Sequence, residues 1–161
     1  GGGIGDIQHA LLQSGATSAV DVEASSAYIE ACKTEAESQG HGQRIYHIQG
    51  DFVALAKDIE PADIVTLDRV VCCYPDVTNL VYLSAGKAKR LYGLVYPRDD
   101  WWVRLAMSIY YNLRFWLQGN PFRNFVHPNR AVETLIRERG LELRSARNMG
   151  PWRVLVYGRS G

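Results

Sequence analysis

The sequence has too few cysteines for a disulfide framework and no apolar run long enough to span a membrane. Only three cysteines occur in 161 residues, and none stands at C-x-x-C or zinc-ligand spacing. Cys72 and Cys73 are adjacent, but nothing nearby supplies a paired base for nucleophilic catalysis. No stretch approaches the roughly 18 uncharged apolar residues of a membrane span, and no secretory signal is visible. These absences predict no metal site and a cytoplasmic protein with reduced thiols.

A compact stripe of Lys and Arg interleaved with stacking aromatic residues is also missing, so nucleic acid is not expected as a partner. Residues 1–85 have 4 basic and 12 acidic side chains, whereas residues 86–161 have 14 and 5, giving balances of −8 and +9. This division suits a cationic ligand in the first half and an anionic ligand or surface in the second. Arginines that merely coat the outer faces of helices would produce the same asymmetry.

The most informative stretch is the glycine-rich start, Gly1-Gly2-Gly3-Ile4-Gly5, which runs into a helical pattern from Asp6. Glycine permits positive φ and close approach of the backbone to a ligand, and the N–H groups at a helix start attract an anion. The dinucleotide pattern G-x-G-x-x-G fits poorly, because its sixth position would be Asp6 or Gln8. A flexible linker or cloning remnant is the alternative interpretation.

Strand-like and helix-like stretches alternate over the rest of the chain. This alternation predicts right-handed βαβ units in one α/β domain over 1–161, with a doubly wound, mostly parallel sheet. The final pair of strands predicts an antiparallel C-terminal hairpin. The predicted strands cover 16–23, 45–48, 62–68, 90–97, 141–148 and 152–157, and the predicted helices after the first cover 26–39, 77–89, 101–118 and 129–139.

Alternate glycines at 1, 3 and 5 resemble the G-x-G-x-G turn of the class I S-adenosylmethionine-dependent methyltransferases. Later segments resemble the same family in the same order: Glu23 after the second strand, Gly50-Asp51-Phe52 after the third, and the fourth motif at 62–76. The resemblance covers residues 1 to about 100 and continues in the tail. It implies a seven-stranded-type sheet whose seventh strand runs antiparallel between the fifth and sixth.

The resemblance implies S-adenosylmethionine as the cofactor. Glu23 would accept hydrogen bonds from the ribose hydroxyls, with Asp21 as the competing acid. The Asp51 carboxylate would accept a hydrogen bond from the adenine amine, since a carboxylate is only an acceptor. The other cofactor-binding residues that the resemblance implies are Gly1, Gly3, Gly5, Ala24, Phe52 and Asp68.

The family's first strand would precede Gly1, where this sequence has nothing. A doubly wound sheet without its central strand exposes two strand edges and loses much of its core. We therefore expect the natural protein to be longer at its N-terminus.

Residues 98–126 predict a lid-like, aromatic helical insertion with an amphipathic helix from Trp101 to Gln118. Three interpretations stay open for it. The helix could pack on the sheet, cover the acceptor pocket as an extra segment commonly does in the family, or contact a membrane surface through its Trp and Arg residues.

The function implied is methyl transfer to a small, apolar or anionic organic acceptor. A sulfonium carbon is already activated, so positioning can supply a large part of the rate, and a base is needed only for a protonated acceptor. His127 is the candidate catalytic base, although a His beside Pro also suits capping or packing. Candidate acceptor contacts are Tyr74, Tyr96, Trp101 and Trp102. The alternatives are a non-catalytic S-adenosylmethionine-binding module and an NAD(P)-binding Rossmann protein.

Overall fold

The computed structural model describes residues 4–107, 109, 112–117, 119 and 125–159. The chain divides into two compact units, an N-terminal unit, Gly1–Ile59, and a C-terminal unit, Glu60–Gly161. The single domain over 1–161 stays a prediction. Within the described ranges, no helix combines the length and the apolar character that crossing a membrane requires.

The N-terminal unit alternates helices with two parallel strands, as predicted. Strands β1 and β2 pair in parallel, with Glu23 opposite Gln49 in the last register position. Its core is built on Leu12, Ala36 and Ile45. The elements are α1 (Asp6–Gln13), β1 (Ala19–Glu23), α2 (Ser26–Ser38), β2 (Ile45–Gln49) and α3 (Phe52–Leu55), with a 3-10 turn at Gly42–Arg44.

Local signals explain where these elements begin and end. The Ser25 hydroxyl accepts a hydrogen bond from Tyr28 N, so it caps the start of α2 as its residue type predicts. The first strand begins at Ala19, later than the predicted residue 16, because Ala16 still closes the end of α1. Its backbone N–H donates to Leu11 O at 3.0 Å after a left-handed Gly15 with φ 105°.

The C-terminal unit contains a four-stranded sheet in the order β3-β4-β6-β5. β3 and β4 are parallel, whereas β6 lies between β4 and β5 and runs antiparallel to both. This confirms the predicted position of the last strand. The elements are β3 (Ala62–Asp68), α4 (Val77–Lys87), β4 (Ala88–Pro97), α5 (Trp101–Ala106), α6 (Asn112–Leu117), α7 (Asn129–Glu138), β5 (Leu141–Met149) and β6 (Trp152–Arg159), with a 3-10 turn at Val71–Cys73.

The core of this unit follows the two periodicities read from the sequence. Alternate residues of β4 are buried, including Tyr92, Leu94 and Tyr96, as expected for side chains that point to one face of a strand. On α7, Val132 and Ile136 are both fully buried and lie one turn apart. Strand β4 begins at residue 88 rather than the predicted 90, and the buried Ala88 extends its apolar face.

The aromatic segment contains two described helices, α5 and α6, inside the range predicted as one helix. Residues 108, 110, 111, 118 and 120–124 lie outside the described residues. Val103 and Met107 are buried, which agrees with packing of one side of the segment. The described part of the segment also has exposed large apolar side chains, namely Trp101, Trp102, Leu105, Ile109, Leu113, Trp116 and Leu117.

Candidate functional site

Glu23 and Asp51 lie at the carboxyl ends of two neighbouring parallel strands. The backbone N–H of Gly50, the first residue after β2, donates to the carbonyl of Glu23, the last residue of β1, at 3.0 Å. Gly50 has φ 153°, which L side chains rarely adopt, and an added Cβ would lie 2.6 Å from Leu55 Cδ1, so this position favours glycine. The sequence-predicted ribose and adenine acids therefore stand at the same edge of the N-terminal sheet, which is where open parallel sheets bind ligands.

The Glu23 carboxylate is held in place by its own turn. Its Oε1 accepts a hydrogen bond from Ser25 N at 2.9 Å, and the residue is only 8% exposed. Ala24, between them, is exposed. Because the backbone N–H of Ser25 fixes the carboxylate, Glu23 presents an oriented acceptor at the strand end.

Asp21, the competing acid, is buried and makes its contacts inside the unit. Its Oδ2 lies 3.1 Å from His47 Nδ1 on the adjacent strand, and both side chains are about one-tenth exposed. The Cys32 thiol of α2 also hydrogen-bonds to Asp21, and burial together with this carboxylate raises the pKa of Cys32 to about 11. These interior contacts favour Glu23 over Asp21 as the residue that meets a ligand.

Asp51 acts as the N-cap of α3. Its Oδ1 accepts a hydrogen bond from Val53 N at 3.0 Å, and the residue is exposed. Phe52, the first residue of α3, is half-buried beside it. The cap explains why the carboxylate keeps one orientation, and its exposure leaves it accessible at the strand edge.

Gly5 begins α1 in the left-handed conformation that the glycine-rich turn predicts. Its φ is 87°, it is buried, and an added Cβ would collide with the Gln8 side chain. Its carbonyl accepts the first helical hydrogen bond, from His9 N at 3.0 Å. Gly1 and Gly3, the other predicted glycines of the turn, lie outside the described residues.

In the C-terminal unit, Asp68 is the last residue of β3, and its carboxylate is hydrogen-bonded by the next residue. The Arg69 guanidinium donates to both carboxylate oxygens, at 3.2 and 3.1 Å. Arg69 has φ 57°, the left-handed region that a non-glycine residue seldom adopts, and its N–H donates to Val95 O at 2.8 Å. Such outliers cluster at functional sites, and no residue-type signal in the sequence indicated this one.

His127 is bound to the turn that follows β3. Its Nε2 lies 3.2 Å from the carbonyl oxygen of Tyr74, so this nitrogen carries the proton and donates it. Burial lowers the pKa of His127, partly offset by this bond and by a second backbone hydrogen bond to Val71. This hydrogen bond fixes the imidazole ring on the turn, which agrees with the packing interpretation. Catalysis by His127 stays a prediction.

The candidate acceptor contacts differ in their surroundings. Tyr96 is 1% exposed, burial raises its pKa, and its hydroxyl has no hydrogen-bond partner among the described residues. Trp101 is 77% exposed, and Trp102 lies with its ring centroid 5.9 Å from the guanidinium carbon of Arg98. Tyr74 is half-buried at its turn. The structure thus places Tyr96 in the core and the two tryptophans at the surface.

The part of the chain that the structure describes has no cluster of side chains that could bind a metal ion. No group of three or more His, Cys, Asp or Glu side chains is arranged there to hold an ion. The carboxylates at the strand ends are hydrogen-bond acceptors, and the Gly5 turn allows a ligand to approach the backbone closely. This donor set fits a polar organic ligand that carries hydroxyl and amine groups.

No protein-family model and no curated protein sequence matches the chain. Among solved structures, the magnesium protoporphyrin IX methyltransferase of Synechocystis PCC 6803 with bound SAH is 18% identical, with a TM-score of 0.74 over 98% of this chain and 71% of that one. An O-methyltransferase family 2 protein from Planctomyces limnophilus DSM 3776, in complex with apigenin, is 15% identical, with a TM-score of 0.75 over 98% of this chain and 48% of that one.

An O-methyltransferase family protein from Burkholderia thailandensis is 16% identical, with a TM-score of 0.72 over 98% of this chain and 54% of that one. The chain therefore spans about half the length of the latter two proteins. These likenesses agree with the strand order, in which an antiparallel last strand lies between β4 and β5. The chain has the fold of the class I S-adenosylmethionine-dependent methyltransferases.

Proposed function

We propose that this protein transfers a methyl group from S-adenosylmethionine to a small, apolar or anionic organic acceptor. The observation that carries the proposal is the hydrogen bond from Gly50 N to Glu23 O, which joins two strand ends that each present an acidic residue. Solved structures of the Synechocystis methyltransferase contain SAM or SAH, and the Planctomyces protein was solved with apigenin, a small organic molecule. Both findings support the same class of reaction here.

The N-terminal unit would hold the cofactor through acceptors and bare backbone. Glu23, fixed by Ser25 N, would accept the ribose hydroxyls, and the exposed Asp51 carboxylate would accept the adenine amine. The left-handed Gly5 turn would bring main chain to the methionine end, where the N–H groups at the start of α1 suit its carboxylate. From the resemblance we also assign cofactor contacts to Gly1, Gly3, Ala24 and Phe52 of this unit and, in the C-terminal unit, to Asp68.

When bound, the cofactor supplies a methyl group on a sulfonium sulfur. The protein's main task is then to place the acceptor atom in line with the carbon–sulfur bond. We propose Tyr74, Trp101 and Trp102 as acceptor-binding residues, with residues 98–126 as a cover, whereas Tyr96 lies in the core. The balance of +9 over residues 86–161 and the exposed aromatic side chains suit an apolar acceptor with an anionic group. His127 anchors the chain after the aromatic segment by donating to Tyr74 O.

Cofactor binding can be tested on Glu23 with a matched control. Replacement of Glu23 by Gln should weaken S-adenosylmethionine binding by about 1.5 to 3 kcal/mol, roughly 10- to 150-fold, because charge-assisted hydrogen bonds would be lost. Glu30 on α2 is exposed and contacts Lys33 at 2.8 Å, so Glu30→Gln should leave affinity unchanged. Isothermal titration calorimetry measures both, and equal affinities for wild type and Glu23→Gln would contradict the assignment.

Two other functions give different results in the same preparation. A non-catalytic binding module would gain thermal stability from S-adenosylmethionine but transfer no labelled methyl group to any component of a small-molecule extract. An NAD(P)-binding protein would be stabilised by NAD(P) instead. The antiparallel β6 between β4 and β5 favours the methyltransferase over the NAD(P)-binding alternative.

A further inference from the structure

Cys72 and Cys73 bring two thiols into contact at the turn after β3. Their sulfurs are 3.6 Å apart, and they lie 3.2 and 3.4 Å from the same acceptor, the carbonyl oxygen of Arg69. Both cysteines lie in the 3-10 turn Val71–Cys73. Because the Cα atoms of adjacent residues are only about 3.8 Å apart, a disulfide between these two sulfurs requires the intervening peptide to rotate.

The two thiols differ in a way that assigns each a role. Cys72 is 4% exposed, whereas Cys73 is only partly buried and faces the surface of the unit. The hydrogen bond from Cys72 lowers the pKa of Cys73, while the same contact and burial raise the pKa of Cys72. Because the thiolate is the reactive form, Cys73 is the sulfur that meets a reagent first, and Cys72 is the partner behind it.

We propose that Cys72 and Cys73 form a dithiol modification site that a hydroperoxide oxidises reversibly to an intramolecular disulfide. This inference does not rest on the proposed methyl transfer. The reagent class is a small peroxide such as hydrogen peroxide, which can reach the partly exposed Cys73. Cys32, the remaining cysteine, is 1% exposed beside Asp21 with a pKa raised to about 11, so it serves as an internal standard of an unreactive thiol.

The reaction balances in two steps. The Cys73 thiolate attacks one peroxide oxygen, the O–O bond breaks, and the departing hydroxide takes a proton to become water, leaving a sulfenic acid. Cys72 sulfur then attacks Cys73 sulfur, the S–O bond breaks, and the hydroxide leaves as water with the proton from Cys72. Two thiols and one peroxide give one disulfide and two waters, and an added dithiol reverses the change by exchange.

Oxidation would act on the backbone contacts that the same turn makes. The carbonyl of Cys72 accepts a hydrogen bond from Phe125 N at 2.7 Å, and the carbonyl of Tyr74 accepts one from His127. A disulfide is about 2.05 Å long, so the sulfurs must move together from 3.6 Å and turn the peptide that carries the Cys72 carbonyl. The thiol state would therefore be coupled to the attachment of residues 125–127, at the end of the aromatic segment (98–126).

The test uses the full chain and hydrogen peroxide at one equivalent, followed by alkylation and peptide mass mapping. Wild type and the matched control Cys32→Ser should each gain a Cys72–Cys73 disulfide, lose two alkylatable thiols and recover both with dithiothreitol. Cys73→Ser, at a partly exposed position, should form no such disulfide. The proposal would be overturned if wild type instead accumulates a sulfinic acid at Cys73, forms disulfides between chains or through Cys32, or keeps all its thiols.

A second readout examines the coupling. Hydrogen exchange at the Phe125 amide should become at least tenfold faster in the oxidised protein and return to its first rate on reduction, while exchange in the β1–β2 pair stays unchanged. Unchanged exchange at Phe125 in a fully oxidised sample would overturn the coupling to residues 125–127. Because neither readout uses S-adenosylmethionine, failure here is distinguishable from failure of the proposed methyl transfer.

Discussion

His9 Nδ1 lies 2.9 Å from His41 Nδ1, and the two rings stack with centroids 5.2 Å apart inside the N-terminal unit. One nitrogen must donate a proton and the other must accept it, because two N–H groups would repel. The residues are 2% and 8% exposed. Burial and then the positive charge of a protonated His41 lower the pKa of His9, and nearby Glu35 and Asp6 offset this only in part.

The free energy of unfolding should therefore fall as the solution is acidified. The folded pKa of His9 is below 6.5, so the unfolded state binds a proton first and stability is lost as pH drops below about 6.5. The half-buried His127, whose pKa is also lowered, acts in the same direction. Urea unfolding at pH 7.5, 6.5 and 5.5 measures the slope. His9→Gln should flatten it, and an unchanged slope would show that His9 does not stay neutral in the folded protein.

Alanine substitutions at Gly5 and Gly15 distinguish the cost of an unfavourable backbone conformation from the cost of a steric clash. Both have positive φ, 87° and 105°, but an added Cβ meets the Gln8 side chain only at Gly5 and nothing within 4 Å at Gly15. Gly15→Ala should cost roughly 1–2 kcal/mol of stability, since an L-residue is strained in this region, and leave cofactor affinity unchanged. Gly5→Ala should cost more and also weaken S-adenosylmethionine binding. Equal affinities in the two variants would argue against the cofactor role of this turn.

Tyr92 and Tyr157 are both fully buried but differ at the hydroxyl. Tyr92 OH shares a hydrogen bond of 2.7 Å with Ser84 Oγ, whereas Tyr157 OH has no partner among the described residues. Tyr92→Phe should lower the unfolding free energy by about 0.5–1.5 kcal/mol through loss of a hydrogen bond. Tyr157→Phe removes an unsatisfied polar group, so it should be neutral or stabilising. Chemical denaturation of the two single variants gives the comparison, and the reverse order would refute it.

Much of the fold could be predicted because its signals are local. The run at 62–68 and the cap at Ser25 were visible in residue types, and the resemblance supplied the antiparallel position of β6 that the structure confirms. The placement of Glu23 and Asp51 at one edge of the sheet also follows from the strand boundaries, because the carboxyl ends of parallel strands lie at the same edge. Their cofactor roles stay predictions.

The contacts that sequence could not give are those between distant residues. Stacking of His9 on His41 and donation from His127 to the Tyr74 carbonyl join positions 32 and 53 residues apart. Neither pair has a spacing signature, since periodicity reports one element at a time. The Tyr96 hydroxyl was expected at an open strand end, but its position on the inward-facing side of β4 buries it.

Arg69 offers the sharpest test of the turn after β3. Among the described residues, Arg69 is the non-glycine residue with a positive φ, at 57°. Its guanidinium contacts both carboxylate oxygens of Asp68. Arg69→Ala and Arg69→Gly both remove that contact, but only glycine adopts this conformation without a Cβ penalty. Arg69→Gly should therefore be more stable than Arg69→Ala by about 1 kcal/mol, as measured by urea unfolding. Wild type should bind S-adenosylmethionine more tightly than either variant if the guanidinium orients Asp68 toward the cofactor. If the alanine variant is the more stable of the two, the turn does not hold its left-handed conformation, and the strain assigned to this strand end is absent.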